Sequence, residues 1–179
     1  LVYIGTLGNS YDLKTVFRAL SSLSSCKMPT PCLTLIGDGP QRKELAKLAD
    51  RLQISVTFRG TIGHEELAEN LCSYDLAVNP YYKGALQSLT NKLADYLAAG
   101  LPILNAANNP EVENLIEKYE LGYNYHPEND EELQRLIMTL YNQREDVKQR
   151  SLNARSFAEK YMDRERIYTE LFDLVEDCL

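Results

Sequence analysis

The feature that most restricts this chain is a regular alternation of two kinds of segment. A short, continuously apolar run comes first, and an amphipathic helical stretch follows it. Leu1-Val2-Tyr3-Ile4 stops at Gly5, and Leu33-Thr34-Leu35-Ile36 stops at Gly37. Val56-Thr57-Phe58, Leu76-Ala77-Val78, residues 102–104 and residues 121–125 repeat the pattern. Apolar runs without polar alternation suit strands covered on both faces, which means a parallel sheet. Between them, Asp12 is placed to cap a helix carrying Leu13, Val16, Phe17 and Leu20 on one side. Leu45, Leu48, Ala49 and Leu52 keep helical register, and Leu67, Leu71 and Cys72 mark a third helix. Residues 89–99 predict a strongly apolar helix ending at Gly100. Residues 111–119 are helical in pattern, and from Asp130 onward everything reads as helix.

Right-handed crossovers between such strands give a Rossmann-like doubly wound α/β fold. The expected architecture is a parallel sheet of about six strands with helices on both faces. Residues 130–179 form a helical C-terminal appendix to one domain covering residues 1–179. A chain of 179 residues buries a full core without staples. Its net charge of −7 argues against a nucleic-acid partner, so an anionic ligand needs a local positive field. Cys26, Cys32, Cys72 and Cys178 form no C-x-x-C pair and have no histidine at ligand spacing. They read as thiols of a reducing cytosol, and no metal is expected. No apolar run approaches the ~20 residues of a membrane span. The chain starts at Leu1, without a methionine, directly in a strand. The expectation is a missing upstream part; a processed terminus is the alternative.

In doubly wound sheets, ligands bind beyond the carboxyl ends of the strands. That rule selects residues 5–12, 37–40, 59–64, 79–90 and 105–111. Gly5 and Gly8 let backbone approach a ligand before a helix N-terminus, although their spacing matches neither a dinucleotide fingerprint nor a Walker A loop. Gly37-Asp38-Gly39-Pro40 reads as a fold-shaping turn. Ser88 or Thr90 is placed to cap the next helix, and Lys92 falls in its first turn. A cation there opposes the helix dipole, unless an anion sits in front of it; the bland reading is a solvated side chain. Asp95, in an otherwise apolar helix, either faces solvent or accepts hydrogen bonds from ligand hydroxyls. Residues 105–111, rich in amides, could meet a sugar or simply supply Asn108 or Asn109 as a cap. His64, His126 and the pairs Glu65-Glu66 and Glu131-Glu132 carry no assigned chemistry. No G-x-S-x-G elbow occurs.

The stretches YIGTLGNSYDL, LIGDGP, FRGTI and NKLADYLAAGLPIL, in this order, resemble the C-terminal domain of GT-B fold glycosyltransferases. Within these they resemble retaining family four, in a subgroup acting on bacterial surface polysaccharides. The resemblance runs from Tyr3 to about Tyr161. It implies a nucleoside-diphosphate sugar as donor and a hexosyltransferase-type activity that needs no metal and no further cofactor. It also implies an absent N-terminal half that binds acceptor, without which this piece is inactive. A cytoplasmic location follows, with any peripheral membrane association belonging to that half. Asp95 matches the family acid that binds ribose hydroxyls. Gln87 stands where the wider family has a glutamate facing the sugar. Backbone near Leu89, Thr90 and Asn91 is implied for the diphosphate, together with Lys92. Arg59, Gly60, Thr61 and Ile62 are implied for the base, and Gly5, Thr6 and Gly8 for the border of the phosphates. Gln87 and Lys92 are the catalytic candidates. Thr6 and Tyr11 replace an arginine and a lysine common in the wider family. These departures keep a second reading open, a non-catalytic binding or partner module. An epimerase of the same two-domain fold is disfavoured by the scarcity of acids and histidines in these loops.

Overall fold

The computed structural model describes residues 1–85, 90–106, 109–163, 166, 168 and 169. Six strands are β1 (Val2–Ile4), β2 (Leu33–Ile36), β3 (Val56–Gly60), β4 (Ala77–Asn79), β5 (Ile103–Ala106) and β6 (Gly122–Tyr125). The helices are α1 (Leu13–Ser25), α2 (Arg42–Leu52), α3 (His64–Leu71), α4 (Asn91–Ala98), α5 (Pro110–Lys118), α6 (Asp130–Asn142) and α7 (Arg144–Tyr161). All strand pairs are parallel, in the order β3-β2-β1-β4-β5-β6. The expected Rossmann-like doubly wound sheet is therefore the observed one. The end of the helical appendix, after Asp163, lies largely outside the described residues.

Alternating residues of the strands feed two cores. Tyr3, Leu33, Leu35, Val78 and Leu104 pack with Phe17 and Leu20 of α1, Leu45 of α2 and Leu133 of α6. Val2, Ile4, Ala77 and Ile103 pack on the other face with Leu93 and Leu97 of α4, Ile116 of α5 and Ala154 of α7. The helices after Asp130 thus lie in the two layers: α6 completes one core, and α7 adds Val147 to it while Ala154, Phe157 and Ala158 complete the other. Helix starts follow local chemistry. Asp12 accepts from Thr15 N–H, Asn109 from Glu111 N–H and Asn129 from Glu132 N–H. Arg155 and Ser151 of α7 donate to the carbonyls of Ala98 and Gly100, where α4 ends.

The sheet changes direction between β1 and β4. These strands share one registered pair, Val2 with Ala77, and then separate. Tyr96 of α4 fills the gap. Its buried hydroxyl accepts from Ile4 N–H at 2.8 Å and donates to the Val78 carbonyl at 3.4 Å. A crevice consequently opens at the carboxyl ends of the two strands. Its far wall is fixed by two interlocked loops. Leu7 N–H donates to the Asp38 carbonyl and Gln41 N–H to the Leu7 carbonyl, at 2.9 and 3.0 Å. That approach needs glycine: a Cβ on Gly39 would stand 2.5 Å from Leu7 O. At Gly37, φ is +135° and a Cβ would stand 2.0 Å from Gly5 O. The turn reading of residues 37–40 holds, with Asp38 accepting from Gly39 N–H.

Replacing Tyr96→Phe leaves a buried N–H and a buried carbonyl with fewer partners, at a cost of about 1–3 kcal/mol. Chemical denaturation should show that loss with an unchanged slope on denaturant; a change below about 0.5 kcal/mol would count against the bridging role.

Candidate functional site

A cavity of about 370 Å³ lies beyond the carboxyl ends of β1 and β2, against the first turns of α4. Ile4, Gly5 and Thr6 leave β1 into it, and Ile36, Gly37 and Asp38 enter from the end of β2. Thr61, Ile62 and Leu67 close one side, and Lys92 and Asp95 of α4 close the other. Apolar walls with few polar groups are the usual makeup of a small-molecule site.

Lys92 is its most unusual member. Its side chain is 8% exposed, and among the described residues its ammonium has no hydrogen-bond partner. The solvated alternative for this residue is therefore excluded. The ammonium lies 3.7 Å from the ring centroid of Tyr11, 4.7 Å from that of Tyr81 and 5.1 Å from that of Tyr3. Burial removes water from the charged form and lowers the pKa to about 7. The π faces offset part of that cost. Burial likewise pushes the Tyr3 and Tyr81 hydroxyls above the usual tyrosine range, so both stay neutral.

Lys92 lies in the first turn of α4. Thr90 precedes the helix in extended backbone, and its side chain makes no capping bond. The first turn carries no acidic residue. A buried ammonium thus sits in the first turn of a helix whose start has no side-chain cap from Thr90, an arrangement suited to an anion. Asp95, one turn further, lines the same cavity, with His64 Nε2 at 3.8 Å from its carboxylate.

The sequence-selected residues divide into three groups. Gly5, Thr6, Thr61, Ile62, Lys92 and Asp95 meet around the cavity. Gly8, Arg59, Gly60, Thr90 and Asn91 do not line it. Gly8 accepts from Tyr11 N–H in the turn before α1, and Gly60 accepts from Gly37 N–H. The Arg59 side chain turns to Glu66 and Asn70 of α3. Gln87, Ser88, Leu89 and Asn108 lie outside the described residues.

Two features escaped sequence reasoning. One is the tyrosine cage: Tyr11 drew notice only as a departure from a family pattern, Tyr3 only as part of the first apolar run, and Tyr81 not at all. The available signal was a lysine at a helix N-terminus, with tyrosines beside both neighbouring loops. The other is an asparagine ladder. Asn79 donates to Asn105 at 2.8 Å, and Asn105 donates to Asn124 at 2.9 Å, in strand register. Asn105 is therefore occupied within the sheet, and Asn109 caps α5. Buried Asn79 Oδ1 has no partner among the described residues. No group of three or more potential metal ligands is found among the described residues.

Fold and cavity together define a doubly wound α/β domain with a cavity beyond the carboxyl ends of its strands, lined by the first turns of α4. The chain belongs to the family Glycosyl transferases group 1, which matches residues 1–143. The sulfoquinovosyl transferase of Arabidopsis thaliana is 24% identical over 163 residues, covering 90% of this chain and 30% of that protein. HepE of Anabaena, solved with UDP-glucose, superimposes with a TM-score of 0.81 at 20% identity, covering 98% of this chain and 48% of that one. The catalytic domain of the cholesterol-α-glucosyltransferase of Helicobacter pylori gives 0.72 at 18% identity, over 90% of this chain and 98% of that one. This chain is thus a glycosyltransferase domain of GT-B architecture. No helix among the described residues is long and apolar enough to cross a membrane.

The lysine carries a stability consequence. An unfolded lysine titrates near ~10.4, and Lys92 titrates near 7 when folded. Between those values the unfolded chain binds more protons, so stability rises with pH; below 7 the full penalty remains. Lys92→Met should therefore melt several degrees above the unsubstituted chain at about pH 7, at roughly 2–4 °C per kcal/mol. The difference should shrink towards about pH 9.5. A variant that is less stable at neutral pH would contradict the buried, unpaired ammonium.

Proposed function

We propose that this chain is the C-terminal, donor-binding domain of a retaining glycosyltransferase of family four. In this reading it takes a nucleoside-diphosphate sugar for polysaccharide or glycoconjugate synthesis. The observation that carries it is the buried Lys92 ammonium, without a hydrogen-bond partner among the described residues, in the first turn of α4, where the Thr90 side chain makes no cap. A diphosphate supplies the missing counter-charge. Asp95 accepts from the ribose hydroxyls, and the backbone of Thr61 and Ile62 meets the base. Gly5 and Thr6 border the phosphates, with Gly8 further along the same loop. Arg59 and Gly60 support the base loop from outside the cavity, and Thr90 and Asn91 offer amides at the helix start.

The chemistry is transfer of a hexosyl group from the diphosphate to an acceptor hydroxyl. As the bond to the anomeric carbon breaks, negative charge grows on the departing phosphate oxygen. Fixed donors aimed at that charge stabilise it more than they stabilise the bound donor, and this difference is what accelerates transfer. Lys92 and the α4 amides fill that role without a metal. Gln87 is proposed to face the sugar. Acceptor binding belongs to the other half of a two-domain enzyme, so this domain alone binds donor without transferring it. Any association with the inner face of a membrane is proposed for that other half.

A thermal-shift series with UDP, GDP, their hexose conjugates and the bare nucleosides tests the assignment. One base should stabilise the chain, and its diphosphate should do so far more than its nucleoside. Lys92→Ala should weaken the diphosphate about tenfold or more, the scale of a hydrogen bond to a charged group, and the nucleoside less than about twofold. No shift with any nucleotide at millimolar concentration would defeat the reading.

A further inference from the structure

The three rings around Lys92 come from separate stretches, and each is held by bonds that do not involve the lysine. The Tyr3 hydroxyl donates to the Thr6 carbonyl at 2.8 Å. Tyr11 and Tyr81 form an isolated antiparallel bridge. Next to it, Asp12 N–H donates to the Pro80 carbonyl at 2.9 Å. The rings also pack on one another, Tyr3 with Tyr11 at 5.6 Å and Tyr11 with Tyr81 at 5.2 Å between centroids. The cage is therefore built by the β1–α1 and β4–α4 loops closing on each other, whatever the lysine does.

None of the three tyrosines lines the cavity, whereas Lys92 does. A buried cation with no partner ordinarily turns outward or gives up its proton. Among the described residues, the ring faces are the stabilising contacts that the Lys92 ammonium has. Asp95 and Asp38 line the same cavity, and Asp12 is committed to Thr15 at the start of α1.

We infer that Tyr11 and Tyr81 are positioning residues of the donor site, whose ring faces hold the Lys92 ammonium charged and in place at the first turn of α4 while making no contact with the donor. This rests on the donor reading above. Removing a ring lets the ammonium fold away or deprotonate, and either route weakens its hold on a diphosphate. Removing the hydroxyl alone changes neither ring face nor charge.

A double-mutant cycle separates this role from a merely structural one. Affinities for UDP and GDP are measured on the whole chain, and the tighter of the two serves as probe, with its nucleoside as control. Tyr11→Leu should weaken the diphosphate roughly two- to thirtyfold, the range of cation–π contacts from exposed to desolvated. In a Lys92→Met background the same change should have less than about a twofold effect. Tyr11→Phe should bind like the unsubstituted chain, and nucleoside affinity should hold in every variant. Tyr81→Leu is run through the same cycle, so the inference does not hang on one substitution. Equal weakening in both backgrounds, or a Phe variant as weak as the Leu variant, overturns the cage and leaves the donor site standing. Failure of the unsubstituted chain to bind either nucleotide removes both.

Discussion

The Tyr96 hydroxyl stands where the sheet lacks hydrogen bonds of its own. Beyond the single pair of Val2 with Ala77, β1 and β4 part, because the chain winds away from their boundary in both directions. Tyr96 accepts from one strand and donates to the other, so the strands diverge without leaving orphaned backbone. The divergence makes the crevice, and the same residue ties α4 to its floor. Everything at the candidate site follows from that placement. Loops leaving β1 and β4 must pass side by side, and the helix after β4 must begin where they cross.

The loops pair through Tyr11 and Tyr81, and the helix start contributes Lys92. A charge buried against aromatic rings, with no hydrogen-bond partner among the described residues, is a local conflict in an otherwise consistent structure. Such conflicts concentrate where binding or chemistry is carried out, because stability is given up there for readiness to bind. The asparagine ladder shows the opposite treatment of buried polarity. Asn79, Asn105 and Asn124 satisfy most of one another's needs across three strands, and Asn124 also donates to the Glu113 carbonyl. The ladder ties together the carboxyl ends of β4, β5 and β6. Glycines 37 and 39 stiffen the other side by letting two backbones touch.

Family membership fits this arrangement without depending on it. Neighbours near 20% identity share the fold, and at that distance side chains are free to differ. A lysine held by tyrosines is one such local solution to the problem of keeping a cation inside an acidic protein. The chain carries a net charge of −7, so its positive field must be short-ranged and built from oriented groups.

The apolar runs, their spacing and the helix caps at Asp12 and Asn109 were legible in the sequence because each depends on neighbours in the chain. Strand parallelism and the two-layer cover followed from the same pattern. The candidate loops were legible too, since in a parallel sheet every strand ends on the same side, whatever the strand order. Lys92 and Asp95 stood out because their charge conflicted with their surroundings. What the sequence left open depended on long-range closure. Tyr3, Tyr11 and Tyr81 meet only because β1 and β4, seventy-odd residues apart, become neighbours in the sheet. Asn79, Asn105 and Asn124 form a ladder only in the observed register. Periodicity determined which side chains face inward; only the tertiary structure decided which of them touch, because contact across a sheet depends on strand order and register rather than on position along the chain.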